Sequence, residues 1–202
     1  MTLLLIRHGE TDFNAGRIVQ FPDTPLGENG ISQAERLGRH LASRNIGLVL
    51  SSDYRRARMT ADQVVAHTRA PLLEDASLRE RNFGDLRGRS YADLGALDPF
   101  ALGYFPPNGE GWPAFNARVD QAWQVILSHL PGLAGDLAVV THGLVLRSLF
   151  ERVLDNGGHF IEPDLTVANT SVTAVEARAP WCILELASIA HLDGSARDGG
   201  AA

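Results

Sequence analysis

Two uninterrupted apolar runs each stop on a histidine. Residues 3–6 are all leucine or isoleucine and give way to Arg7-His8-Gly9-Glu10-Thr11, while residues 137–140 give way to Thr141-His142-Gly143. Short continuous apolar runs bounded by polar residues read as strands buried on both faces. Elsewhere the period changes to that of a helix. Ile31, Ala34, Leu37 and Leu41 recur at helical spacing among Arg36, Arg39 and Arg44, and a second helical pattern spans residues 144–154. Leu48-Val49-Leu50 predicts a short strand that enters Ser51-Ser52-Asp53, with Asp53 as the cap of a helix over residues 54–67 and Arg56 in its first turn. A strand is expected at Leu72-Leu73. A long helix follows over residues 113–130, with Phe115, Val119, Ala122, Trp123 and Ile126 on one side, and strands near 171–176 and 182–186 are placed to form a terminal hairpin. Strands alternating with helices predict an α/β fold, a three-layer α/β/α sandwich around a mainly parallel, mixed central sheet.

The polar stretches mark the connections. Residues 10–30 carry the turn signals Asp23-Thr24-Pro25 and Gly27-Glu28-Asn29-Gly30, and residues 78–84 read as irregular. Between about 90 and 112 lies a proline- and glycine-punctuated insertion holding Phe100, Tyr104 and Phe105, expected to cover something. Residues 1–192 are thus expected to form one domain. Residues 193–202, small and polar, are expected to be a disordered tail.

Composition narrows the classes of partner. The 202 residues hold 24 acidic against 18 basic side chains, and a formal charge of −6 argues against a general nucleic-acid or anionic-membrane surface. No run would span a bilayer and no secretory signal is visible, so the expected location is the cytoplasm. A single cysteine, Cys182, cannot form an intrachain disulfide. All 18 basic residues are arginine, whose planar fork suits phosphate, but only those near the two histidines carry that meaning.

Two strand-terminal histidines imply one shared site, because ligands in open α/β sheets collect at the carboxyl ends of strands, where helix N-termini favour anions. Transfer of a phosphoryl group from a monoester needs a nucleophile, positive donors around the equatorial oxygens and an acid for the departing alkoxide. His8 is the expected nucleophile, since a neutral imidazole attacks phosphorus directly and nearby arginines keep it neutral. Arg7 and Arg56 would clamp the phosphoryl oxygens and His142 would donate one further bond. Glu80 is the expected acid, and then the base that activates water. Guanidinium groups beside these histidines oppose a divalent cation, and no helical histidine pair is present, so no metal is expected.

Arg7-His8-Gly9-Glu10-Thr11, Ser51-Ser52 with Arg56-Ala57, Glu80 and Thr141-His142-Gly143 together resemble the histidine phosphatase superfamily, the phosphoglycerate mutase-like group. The resemblance covers residues 3–192 in order. It implies His8 as the phosphorylated nucleophile, Arg7, Arg56 and His142 as the phosphate pocket, Glu80 as proton donor, and chemistry without metal or other cofactor. Asn14 and Gln20 match further phosphate or substrate contacts after the first motif, and Thr11 belongs to the same substrate-facing segment. Asp98-Pro99-Phe100 and Thr170-Ser171-Val172-Thr173 look like broad-specificity phosphatases, whereas Asn108-Gly109-Glu110-Gly111-Trp112 with Ala114-Phe115 and Arg118-Val119 is similar to α-ribazole phosphatases. Phe21 stands where a glycine is common and Met59 where a glutamine is frequent. Phe21 is expected to narrow the entrance or to offer an apolar surface to an organic alcohol; Tyr104, Phe105 and Trp112 are expected in the core, with the same apolar surface as their alternative.

The expected reaction is therefore hydrolysis of small phosphomonoesters through phosphorylated His8. The alternatives are a mutase that passes the group to and from a bisphosphorylated cofactor, and a non-catalytic phosphate-binding module. The natural alcohol is not specified, and the oligomeric state is left open, a homodimer included.

Overall fold

A computed structural model describes residues 1–162 and 165–192; the expected tail at 193–202 lies outside the described residues. Six strands, β1 (Thr2–Arg7), β2 (Ile46–Ser51), β3 (Leu72–Glu74), β4 (Asp136–Thr141), β5 (Val172–Glu176) and β6 (Ile183–Ser188), form one sheet in the order β3-β2-β4-β1-β5-β6. The first four in that order run parallel, and β5 and β6 add an antiparallel hairpin at one edge. The mixed α/β/α sandwich expected from the pattern is the fold.

Alternation along each central strand divides the core. Leu3 and Leu5, Leu48 and Leu50, Leu137 and Val139 point to one face, where α4 (Trp112–Ser128) and α5 (Gly143–Arg152) cover them. Leu4, Ile6, Val49, Ala138 and Val140 point to the other, against α2 (Glu28–Leu41) and α3 (Arg55–Thr68). Burial on both faces explains why these strands read as continuous apolar runs and not as alternating ones.

Three local expectations need correction. Asp53 does not cap α3: its carboxylate pairs with Arg79, Tyr54 occupies the cap position, and Ser52 Oγ accepts from the Tyr54 amide at 3.3 Å. Gly27-Glu28-Asn29-Gly30 is not a turn before α2 but its cap and first turn, with the Ile31 amide donating to Gly27 O at 2.9 Å. Glycine is required there by close approach, since a Cβ on Gly30 would lie 1.9 Å from Glu10 O and one on Gly9 would lie 2.7 Å from Gly30 O. Within the polar segment, Asp12–Ala15 forms the short helix α1, closed by a reciprocal cap between Thr11 and Asn14.

Candidate active site

Every parallel strand delivers a residue to one place. Arg7 ends β1 and pairs in register with Thr141 at the end of β4, so His8 and His142 emerge side by side with ring centroids 5.1 Å apart. β2 leads through Ser52 into the first turn of α3, which supplies Arg56. The chain leaving β3 makes a single 3-10 turn and presents Glu80. The carboxyl ends of the sheet thus gather Arg7, His8, Arg56 and Glu80 around a small pocket of about 40 Å³.

The tautomer of His8 follows from its neighbours. Nδ1 lies 2.7 Å from Gly9 O, a carbonyl that only accepts, so Nδ1 carries the proton and Nε2 keeps its lone pair. That lone pair accepts from Arg56 Nε at 3.2 Å. Burial, then Arg56 and Arg7, push the His8 pKa well below the ordinary histidine value, so the ring is neutral at physiological pH. Asn169 Nδ2 donates to His8 O at 2.9 Å and the His8 amide donates to Thr141 O at 2.9 Å, which fixes the backbone under the ring.

His142 is buried beside it. Ser52 Oγ accepts from the Tyr54 amide and lies 2.8 Å from His142 Nε2. The other ring nitrogen, Nδ1, is buried and has no partner among the described residues. Arg7 is held by a bond from Nη1 to Val167 O while its Nε is likewise buried and unpartnered. Arg56 Nη1 donates to Phe21 O at 3.0 Å, and burial lowers the Arg56 pKa to about 10, which leaves it charged. A buried guanidinium without a full set of acceptors is expensive, and Arg7 and Arg56 both line the pocket, whereas His142 stands against His8 and is not among the lining residues.

Glu80 sits at the opposite wall. One carboxyl oxygen accepts from the Arg81 amide at 2.9 Å and the other from the Leu144 amide at 3.2 Å, in the first turn of α5. Burial raises its pKa, against the lowering by those two amides and by Arg56 and Arg7. The loop bearing it is tied down by Arg118, which forks onto Glu110 and also donates to Ser77 O at 2.8 Å and Arg79 O at 2.7 Å. Next to Glu80, Arg81 is only 2% exposed and donates to Glu110 O, Pro99 O and Tyr104 O, each at 2.9 Å, with its guanidinium 4.2 Å from the Trp112 ring centre. Arg81 thereby moors the insertion, from which Tyr91 and Phe100 line the pocket.

Among the substrate residues expected from sequence, Asn14 and Gln20 line the pocket. Thr11 does not; its hydroxyl bridges the Asn14 and Gln20 side chains at 3.1 and 3.0 Å and so orients them. Phe21 places its carbonyl on Arg56 but its ring, 41% exposed, outside the lining, where Phe13 stands edge-on to it. Tyr104 and Phe105 are also outside it, and Trp112 faces a neighbouring chamber. Sequence reasoning gave no role to Ser52, Tyr91, Arg81, Arg118 or Asn169. Of these, Ser52 was signalled by its place at a strand end before Arg56, and Arg118 by its place in the segment similar to α-ribazole phosphatases.

The sequence profile of the histidine phosphatase superfamily (branch 1) matches residues 3–187. The chain belongs to this superfamily. A relative named phosphoglycerate mutase-like protein 4, from Arabidopsis thaliana, is 32% identical over 205 residues, covering 95% of this chain and 86% of the relative. The adenosylcobalamin/alpha-ribazole phosphatase of Salmonella typhimurium is 36% identical over 165 residues, covering 76% and 80%. Among solved structures, that of Bacillus stearothermophilus YhfR superposes with a TM-score of 0.79 at 30% identity, covering 95% of this histidine phosphatase and 99% of YhfR. Named relatives thus include both mutase-like proteins and phosphatases.

Proposed function

We propose that this histidine phosphatase hydrolyses small-molecule phosphomonoesters, without a metal ion, through a phosphoryl group carried on His8 Nε2. The observation that carries the reading is a neutral His8 whose unprotonated Nε2 is held by Arg56 Nε in a pocket that Arg7 and Glu80 also line. An anion that displaces the Arg56–His8 bond gains Arg56 Nε as a donor. In the first step the His8 lone pair forms the N–P bond as the ester P–O bond breaks, and Glu80 passes its proton to the leaving oxygen. In the second, Glu80 takes a proton from water whose oxygen attacks phosphorus, the N–P bond breaks, and phosphate leaves with Glu80 protonated again. The raised pKa of Glu80 suits the first role and its position beside charged arginines suits the second. Arg7 and Arg56 strengthen their bonds as charge builds on the equatorial oxygens. The same guanidiniums oppose a divalent cation at this spot.

The test is phosphate release from a panel of alkyl, sugar and aryl monoesters in the presence of a chelator. Release by the native chain and its loss in His8→Ala support the reading. Isomerisation of a phosphoglycerate without phosphate release would favour a mutase instead, and binding of phosphate without turnover would favour a binding module.

A further inference from the structure

Glu80 is gripped from behind by a side chain that does not line the pocket. Arg118, on α4, makes five hydrogen bonds, as many as a guanidinium has N–H groups. Nε and Nη2 fork onto Glu110 at 3.0 and 2.7 Å, and Nη1 divides between Ser77 O at 2.8 Å and Arg79 O at 2.7 Å. The fifth bond runs from Nη2 to Glu80 O at 3.3 Å. Neither Arg118 nor Glu110 is among the residues that line the phosphate pocket.

The bond to Glu80 O bears directly on the acid. That carbonyl and the Arg81 amide are opposite ends of one planar peptide unit. The N–H end donates to a Glu80 carboxyl oxygen at 2.9 Å, so a grip on the C=O end sets the direction from which the carboxyl is held. Glu110 secures the following residue on both sides: its Oε2 accepts from the Asn82 amide at 3.2 Å, and its own amide donates to Asn82 O at 2.7 Å. The Arg118 and Glu110 side chains are 21% and 15% exposed, which spares the pair much of the screening that weakens surface ion pairs. An anchor for the insertion alone would need only the fork onto Glu110. The three carbonyl contacts fall instead on the turn that presents Glu80.

Resting on the reading of Glu80 as the acid, we propose that Arg118 and Glu110 are positioning residues for proton delivery to the leaving oxygen. They act through the peptide unit between Glu80 and Arg81 and take no part in binding the phosphoryl group. Their removal therefore imitates the loss of Glu80 and not the loss of Arg7 or Arg56.

The test is the leaving-group dependence of Arg118→Lys. Lysine keeps the positive charge that acts on His142 but offers three donors where five are used. With glycerol 1-phosphate, kcat is expected to fall about tenfold with KM little changed. With p-nitrophenyl phosphate the expected loss is below about threefold, because a phenolate departs without a proton. In a Glu80→Ala background the substitution should cost nothing further on glycerol 1-phosphate, since the group it positions is gone. Glu110→Gln, a milder change should Arg118→Lys fail to fold, is expected to show the same selectivity. Equal losses on both esters, or a loss on glycerol 1-phosphate that persists without Glu80, would overturn the proposal and leave the pair a packing role. The acid reading fails separately, if Glu80→Ala itself slows both esters equally. Hydrogen exchange at the Arg81 amide then still decides whether the pair holds Glu80: it should quicken about tenfold in Arg118→Lys, and unchanged exchange would overturn the grip.

Discussion

Arg56 Nε lies 3.2 Å from His8 Nε2, so a guanidinium holds the one unprotonated nitrogen of the pocket while no anion is bound. The contact does two things at once. It holds the lone pair on Arg56 Nε, and its charge, after burial, lowers the His8 pKa. Arg56→Ala should therefore reduce kcat by about 10² to 10³, the range for removing one transition-state donor. Nuclear magnetic resonance titration of the ring should show the His8 pKa rising toward the ordinary value. An unchanged titration would mean that Arg56 does not govern the charge of the ring.

Glu80 should matter in proportion to how badly the departing oxygen needs a proton. Glu80→Ala is expected to slow hydrolysis of alkyl phosphates by about 10² to 10⁴, with a far smaller loss for p-nitrophenyl phosphate, whose phenolate leaves unaided. Equal losses on both esters would remove Glu80 from the acid role. Because burial raises its pKa, the rate on alkyl esters should also fall at alkaline pH as the proton is lost.

Ser52 is a positioning residue for His142. Its Oγ lies 2.8 Å from Nε2, and donation from the hydroxyl, the predicted arrangement, would keep the ring proton on Nδ1. Ser52→Ala should lower kcat by about 10²-fold with KM little changed, and nitrogen chemical shifts should show a mixed His142 tautomer. A pure tautomer with the same rate loss would point to packing instead.

Acid should destabilise the fold through the same histidines. Burial depresses the pKa of His8 and His142 below 6.5 in the folded chain. As pH falls through that value the unfolded chain binds protons that the folded chain refuses, so this contribution to stability is full above 6.5 and declines below it. Glu80 acts with the opposite sign, since its raised pKa makes the folded chain hold a proton longer, and it costs stability as pH rises through the carboxylate range. Urea midpoints measured from about pH 7.5 to 5 should fall toward acid, and His8→Asn should flatten the slope. An equal slope in that variant would place the proton uptake elsewhere.

Arg81→Ala should destabilise the protein by about 3 kcal/mol, because it strips donors from the carbonyls of Glu110, Pro99 and Tyr104 and removes a ring-stacked plane from beside Trp112. Denaturant unfolding measures this directly, and a loss below about 1 kcal/mol would show that the insertion is held by other contacts.

Strands that end on His8 and His142 were legible because a doubly buried strand is an unbroken apolar run, and a histidine at its end stands out against it. Helices α2 and α4 were legible for the complementary reason, their spacing of apolar positions, while α3 was read from the residues taken for its cap. Asp53 misled because an acidic residue before a helix is a common cap, while its real partner, Arg79, lies 26 residues on. Gly30 misled because glycine usually signals a turn, whereas here it lets two backbones meet. Arg81 and Asn169 left no signal: each works through backbone carbonyls brought close only by the fold. Tyr91 entered the pocket from an insertion whose pairing, a single bridge from Ser90 to Ile18, has no local pattern.

The most direct test of the phosphohistidine mechanism is to quench the reaction with a phosphomonoester in alkali and locate phosphorus by mass spectrometry and phosphorus resonance. One acid-labile, alkali-stable phosphoryl group on His8 Nε2, absent from His8→Ala and accumulating in Glu80→Ala on an aryl ester, is the predicted result. Turnover without any phosphoenzyme, or a phosphoryl group that persists in His8→Ala, would contradict it.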